Sequence, residues 1–319
     1  MANTTIQAGK NAITFKSFGI NMAGLLFTPT DFDPTKRYPT ILFNGPGLSV
    51  KEMMDSVYGP KMAERGYIFM GYDRMGLGES EGPRQKLKVD QAVEETRDAI
   101  SFLRTLPFVD RDRLYGVGSC AGSISIVTVA FTGKRLAAVA TISAILEAMG
   151  GTYNMMDREA VVARYRAANE ARQHEYETGE VMLRDDMPVR DEPFPEGTPQ
   201  IVIEGYDYYK TERSGLGTNY SSMLNVTFDE DTFYSGFERY ADVFYTPFLG
   251  IVGENSAAFA MTDGFYQKCR EPKELLVIEG ANHVDLYDGG SEGDKCLNIA
   301  ADKMAEFFPK HTISNVTPQ

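Results

Sequence analysis

Residues 116–123 read GVGSCAGS. They close an apolar run, RLYGVG (113–118), that has the composition of a strand, and they open AGSISIVTVAFTG (121–133), which reads as a helix. A chain that passes from strand to helix within so few residues bends sharply. The positions two before and two after the turning residue then come close together and must be very small. If Ser119 turns, its flanks are Val117 and Ala121, and a β-branched valine crowds the bend. If Cys120 turns, the flanks are Gly118 and Gly122, neither of which carries a Cβ. The spacing selects Cys120.

The same alternation extends in both directions from this turn. NAITFKSFGINMAGLLFTP (11–29) reads as two short strands around a Gly-containing turn. YPTILFNGPG (38–47) is a buried strand ending in glycines, and LSVKEMMDSVYGPKMAERG (48–66) follows as a helix, with Ser49 and Glu52 as its capping box. YIFMGYDRMGLGES (67–80) is an apolar strand running into a Gly-rich loop. From Val89 to Leu106 the apolar residues Val89, Ala92, Val93, Ala99, Ile100, Leu103 and Leu106 share one helical face, and AAVATISAI (137–145) is a further strand. This rhythm predicts an α/β fold, a mostly parallel central sheet flanked by helices.

The rhythm breaks near Leu146. A polar helix around Asp157 to Glu180 leads into DDMPVRDEPFPEGTP (185–199), whose prolines and acids predict an exposed loop. It resumes at TPFLGIVGE (246–254), followed by strand ELLVIEG (274–280) and a terminal helix through NIAADKMAEFF (298–308). The expected organisation is a core of residues 1–145 and 244–319, with 146–243 inserted as a helical cap, or lid, over one end of the sheet. An α/β sheet binds ligands beyond the carboxyl ends of its strands, so such an insertion is placed over the site.

Composition narrows the function. Net charge is −13, with no Lys/Arg cluster to neutralise phosphates, so no nucleic-acid partner is expected. The start, MANTTIQAGK, lacks the pattern of a signal peptide, and no apolar run reaches membrane length. Cys120, Cys269 and Cys296 are too few and too scattered for a disulfide framework or a zinc cage. A cytoplasmic protein without metal or membrane partner is the expectation. GLGESEG (76–82) follows the wrong strand and lacks the spacing for a dinucleotide, so no cofactor is implied.

Cys120 in a strand–turn–helix setting is a nucleophile elbow with Cys in place of Ser. The amino end of the following helix is expected to favour the thiolate, and the Ala121 N–H is placed to stabilise an oxyanion. The alternative is a buried cysteine that only packs. Among His174, His283 and His311, His283 in EGANHVDLYD (279–288) directly follows the last predicted strand and is the expected base. Chain order asks for an acid after FLGIVG, where Glu254 comes first and Asp263, an expected helix cap, comes later. A Cys–His pair without an acid is also chemically sound. Pro46 has no N–H, which leaves Gly47 or Leu48 for the second oxyanion donor. Lys51 either faces the site or is solvated. Tyr208 and Tyr209, with Tyr153, Met155, Met156 and Tyr206, either line an apolar substrate pocket or pack the core.

GPGLSVKE (45–52), YDRMGLGESEGPRQ (72–85), SFLRTLPFVDRDRLYGVGSCAG (101–122), AANEARQHEYETGE (167–180), YDYYKTERSG (206–215) and PKELLVIEGANHVDLYD (272–288) resemble the α/β-hydrolase superfamily. The resemblance is to its dienelactone-hydrolase-like and acetyl-xylan-esterase-like members, to which fungal polyketide transferases are also similar. It implies a parallel-sheet hydrolase core with a helical cap, and it supports Cys120 and His283 by position. Two positions depart from the pattern: Ser256 stands where many relatives carry Asp, and Asn44 where many carry His. The implied chemistry is acyl transfer through a Cys120 thioester. With water as acceptor this gives an esterase, lactonase or thioesterase; with an alcohol, amine or carbon nucleophile it gives an acyltransferase. A non-catalytic ligand binder on the same scaffold is the reading from another class. The expected partner is a small-molecule acyl substrate, and a homo-oligomer is left open.

Overall fold

Asn11, Ile13, Phe15 and Ser17 are buried while the residues between them are exposed, the two-residue period of a strand with one wet face. The computed structural model describes residues 5–146, 157–211, 213, 218–234, 237–290 and 293–315. Strand β1 (Gly9–Ser17) pairs antiparallel with β2 (Ile20–Thr28) across a turn in which Phe18 and Gly19 both take positive φ, as a tight hairpin requires. Beyond them lie β3 (Tyr38–Asn44), β4 (Ile68–Tyr72), β5 (Val109–Ser119) and β6 (Ala138–Ile142). A minor pair, β7 (Leu183–Asp185) with β8 (Met223–Asn225), stands apart from the main sheet, which β9 (Phe248–Gly253) and β10 (Lys273–Ile278) complete.

The order across the main sheet is β1-β2-β4-β3-β5-β6-β9-β10. The β1–β2 and β2–β4 pairs are antiparallel and every other pair is parallel. The helices are α1 (Met54–Glu64), α2 (Val89–Leu103), α3 (Gly122–Thr132), α4 (Arg158–Thr178), α5 (Gln200–Lys210), α6 (Phe259–Lys268) and α7 (Lys295–Phe307). Neighbouring side chains of a strand point to opposite faces, so the sheet separates two cores. Ile41, Phe43, Phe69, Tyr115 and Val117 pack with Tyr58 of α1 and Phe307 of α7. Leu42, Ile68, Met70 and Leu114 pack with Ile100 of α2, Ile126 of α3 and Phe265 of α6. The mostly parallel sheet with helices on both faces is the one expected from the alternation.

Between β6 and β9 the described residues add no strand to the main sheet. Asp157 caps α4 by accepting from the Ala160 N–H, and Gly179 ends it at φ 79°. This segment is tied to the stretch between β4 and α2: Asn225 accepts from the Leu87 N–H and Asp231 from the Val89 N–H, while Lys86 pairs with Glu175. No helix among the described residues is long and apolar enough to cross a membrane.

The capping box expected at Ser49 and Glu52 does not form. Helix α1 begins at Met54, Ser49 Oγ donates to the Pro46 carbonyl, and Glu52 pairs with Lys51. The extra residues serve the loop ahead of the helix instead. Asp263 also caps nothing: it lies inside α6, where it accepts from Gln267.

Candidate active site

At the end of β5 the backbone reaches φ 48° on Cys120, a left-handed conformation that costs energy for a residue with a side chain. A Cβ on Gly118 would lie 2.5 Å from the Cα of Ser123, and one on Gly122 would lie 2.1 Å from the carbonyl oxygen of Asn44. Those contacts are the close approaches that the spacing requires on either side of Cys120. Ser119 faces away: its side chain is fully buried, and Oγ has no hydrogen-bond partner among the described residues. Strand β5 is one of the central strands, so the turn opens among the carboxyl ends of its neighbours.

The loop after β3 supplies the other wall. The backbone N–H groups of Ala121 and Gly47 both act on the Cys120 sulfur and favour its charged form. Of the two residues open for the second donor, Gly47 therefore faces the sulfur. Leu48 instead packs its side chain with Leu77, Leu87 and Leu224. The loop is held from below by Arg74, which donates to the carbonyls of Gly47 (3.1 Å) and Gly45 (2.9 Å). Asn44 is turned inward and donates to Thr96 and Ser125, linking β3 to α2 and α3. It therefore braces the core rather than an oxyanion.

Lys51 is not solvated. It is 3% exposed, and its ammonium lies 2.8 Å from Asp73 and 2.7 Å from both Glu52 and Glu79. These three carboxylates are grouped closely enough to hold a cation, and the cation between them is Lys51 itself. Burial lowers its pKa, but the carboxylates outweigh burial and raise it overall. Lys51 thus anchors the loop and does not face the sulfur.

His283 sits in the loop after β10 and is 2% exposed. Its backbone is fixed from two sides: Ser143 Oγ donates to its carbonyl at 3.1 Å, and its N–H donates to Glu204 of α5 at 3.2 Å. Nδ1 lies 3.1 Å from Ser256 Oγ, and Nε2 lies 2.9 Å from the hydroxyl of Tyr287. The same hydroxyl acts on the Cys120 sulfur and favours its thiolate. Burial lowers the His283 pKa to about 4 and raises that of the Cys120 thiol. For Cys120, burial outweighs Tyr287, the Ala121 N–H, Arg74 and the Gly47 N–H, which all favour the thiolate. The resting pair is therefore neutral thiol and neutral imidazole, not the thiolate expected from the helix end alone.

Glu254 is not the group that orients the imidazole. Its carboxylate accepts from the Gly280 N–H at the surface, while the Nδ1 partner is Ser256, whose Oγ also accepts from the Ala258 N–H. The chain turns after β9 so that Ser256, and not Glu254, meets the ring. His174 lies on α4 beside Glu180, and His311 packs on Phe307. Tyr208 is fully buried, edge-on to both Tyr209 and Tyr287, so it packs behind the site. Tyr209 stacks on Tyr220 near Cys120. Tyr206 instead donates outward to the Arg190 carbonyl. Tyr153, Met155 and Met156 lie outside the described residues.

Tyr287, Glu204 and Arg74 were not expected from the sequence. Tyr287 follows His283 by four residues within a helical turn, Asp285–Asp288, and that spacing is its one local signal. Glu204 and Arg74 carry none, because each reaches the site across a tertiary contact.

No protein-family model matches the chain. It is 30% identical over 313 residues to the Pseudomonas aeruginosa protein PA2218, covering 94% of this chain and 80% of that one. The crystal structure of PA2218 superposes with a TM-score of 0.83 at 27% identity, covering 96% of this chain and 95% of that structure. The Escherichia coli protein YcjY is 28% identical over 300 residues, 91% of this chain and 94% of YcjY. The α/β hydrolase GrgF from Penicillium, also described as a polyketide transferase, superposes with a TM-score of 0.77 at 19% identity, covering 95% of this chain and 98% of GrgF.

Proposed function

The chain belongs to the α/β-hydrolase superfamily, in one family with PA2218, and from that premise we propose that it is a cysteine-dependent acyl hydrolase acting on a small ester, lactone or thioester. As a member it is a hydrolase or an acyltransferase; the cysteine mechanism and the choice between the two reactions are the proposal.

One observation carries it: Cys120 is left-handed between Gly118 and Gly122, the N–H groups of Ala121 and Gly47 act on its sulfur, and the Tyr287 hydroxyl that also acts on the sulfur bonds His283. The sulfur attacks the acyl carbonyl, and the thiol proton passes to His283, which is neutral and so free to accept it. The carbonyl oxygen takes the electron pair and is held by the N–H groups of Gly47 and Ala121, the two that act on the sulfur. Collapse expels the leaving group with the proton returned by His283 and leaves a thioester on Cys120. Water, giving up its proton to His283, then releases the acid and the free thiol.

The buried His283 favours a second reading, in which water is excluded and an alcohol, amine or carbon nucleophile takes the acyl group. Polyketide transferases among the relatives fit that reading. The test is intact-mass measurement after incubation with short aryl esters and acyl thioesters. A mass increase equal to the acyl group is expected, absent in Cys120→Ala. Adding alcohols or amines then partitions the intermediate, and acid as the main product at millimolar acceptor supports the hydrolase. Transfer product dominating there identifies an acyltransferase.

A further inference from the structure

Both ring nitrogens of His283 are engaged, Nδ1 by Ser256 Oγ and Nε2 by the Tyr287 hydroxyl, and neither faces the Cys120 sulfur as its own partner. What joins the imidazole to the thiol is Tyr287, whose hydroxyl lies 2.9 Å from Nε2 and acts on the Cys120 sulfur. Its ring is 1% exposed and is clamped edge-on by Tyr208, with centroids 5.1 Å apart, so the hydroxyl is held in place between them. A hydroxyl donates one hydrogen bond while accepting another, which is the requirement for passing a proton along a chain.

We propose that the Tyr287 hydroxyl is the proton relay between Cys120 and His283, a role that rests on the acyl-enzyme reading given above. In the resting site the thiol donates to the tyrosine oxygen, Tyr287 donates to Nε2, and Nδ1–H donates to Ser256. As sulfur bonds to the carbonyl carbon, the thiol proton moves to the tyrosine oxygen while the proton held by Tyr287 moves to Nε2. The carbonyl electron pair goes to the oxygen facing Gly47 and Ala121. When the tetrahedral adduct collapses, the bond to the leaving group breaks, and its oxygen or sulfur takes the proton back from Nε2 through the same hydroxyl. Water or another acceptor gives up its proton by this path as it attacks the thioester, and the sulfur is reprotonated when the C–S bond breaks. Tyr287 ends each cycle neutral, as it began.

The titratable groups facing Tyr287 are Cys120 from the elbow, His283 from its own loop, and Tyr208 and Tyr209 from α5, with Arg74 acting on the sulfur from beyond β4. Burial raises the pKa of Tyr209 and of Tyr287 well above the ordinary phenol value, so neither loses its proton across the acid and neutral range. Removing the hydroxyl therefore has a readable signature.

The variant is Tyr287→Phe, which keeps the ring. Two readouts are taken: the rate of acyl-enzyme formation from an aryl ester, and the pH dependence of alkylation of Cys120 by iodoacetamide, followed on the Cys120 peptide. Acylation is expected to fall by about 100-fold or more, with KM within about threefold. The alkylation profile is expected to move to higher pH, because a donor to the thiolate is lost. Acylation within about threefold of wild type overturns the relay. So does a loss of acylation with the alkylation profile unmoved, which marks a packing role. If Tyr287→Phe does not fold, 3-fluorotyrosine placed at 287 keeps the hydroxyl but makes it more acidic. The acylation profile is then expected to move to lower pH, and a profile overlaying wild type overturns the relay. Labelling that survives Cys120→Ala overturns the acyl-enzyme reading itself, a result independent of Tyr287.

Discussion

Ser256 Oγ stands 3.1 Å from Nδ1 of His283, where a carboxylate would stabilise an imidazolium. A hydroxyl is neutral and does not oppose the burial that lowers the His283 pKa to about 4. The base is unprotonated above that value. The acid limb of kcat/KM for an uncharged ester is therefore expected near pH 4 rather than near the ordinary histidine value of about 6.5. Ser256→Asp places a negative charge against the ring, favours its charged form and should move the limb upward. Rate profiles from pH 3.5 to 8 on both proteins check the position and the direction.

Glu254 is bonded to the Gly280 N–H at the surface. Loss of a true orienting acid costs about four orders of magnitude in a Ser-His-Asp site. Glu254→Gln is expected to change kcat/KM by less than about threefold, measured under the same conditions as wild type. A loss of hundredfold or more would return Glu254 to the site.

Ser119 adjoins the elbow but buries a hydroxyl that has no partner among the described residues. Ser119→Ala removes a polar group that gained nothing from folding, so stability should be unchanged or higher by up to about 1 kcal/mol. Activity should stay within about threefold. Chemical denaturation and steady-state kinetics on one preparation measure both, with Cys120→Ala as the inactive control.

Gly122 leaves no space. An added Cβ would meet the carbonyl oxygens of Asn44 at 2.1 Å and Gly45 at 2.4 Å. Both are backbone atoms of the strand end and loop that carry Gly47, so they cannot rotate away. Gly122→Ala is expected to cost about 1–3 kcal/mol of stability by overpacking. It should also lower kcat more than it raises KM, because the Gly47 donor is displaced from the oxyanion position.

GVGSCAGS, read alone, was sufficient to choose Cys120 over Ser119 as the turning residue, because steric exclusion at a tight bend acts between positions a fixed distance apart in the chain. Strand and helix periodicity is equally local, and with it the sheet and its flanking helices could be read. His283 was legible for a similar reason: it follows the last strand, and all the parallel strands deliver their following loops to one end of the sheet.

What surrounds those two residues was not legible, because it depends on which atoms meet across the fold. Whether Glu254 or Ser256 faces Nδ1 is decided by the turn after β9, tied by backbone bonds to Ile278 and Ala281 of a different strand and loop. Whether Lys51 is solvated is decided by Asp73 and Glu79, which come from beyond β4. Whether the sulfur rests as thiol or thiolate is decided by burial, which local sequence does not measure, set against two N–H dipoles, one hydroxyl and one guanidinium from separate parts of the chain. Local chain geometry determines where the backbone turns and which side chain it presents; the charge state and hydrogen-bond partners of that side chain depend on desolvation and on contacts between residues distant in sequence, and only the tertiary structure decides those.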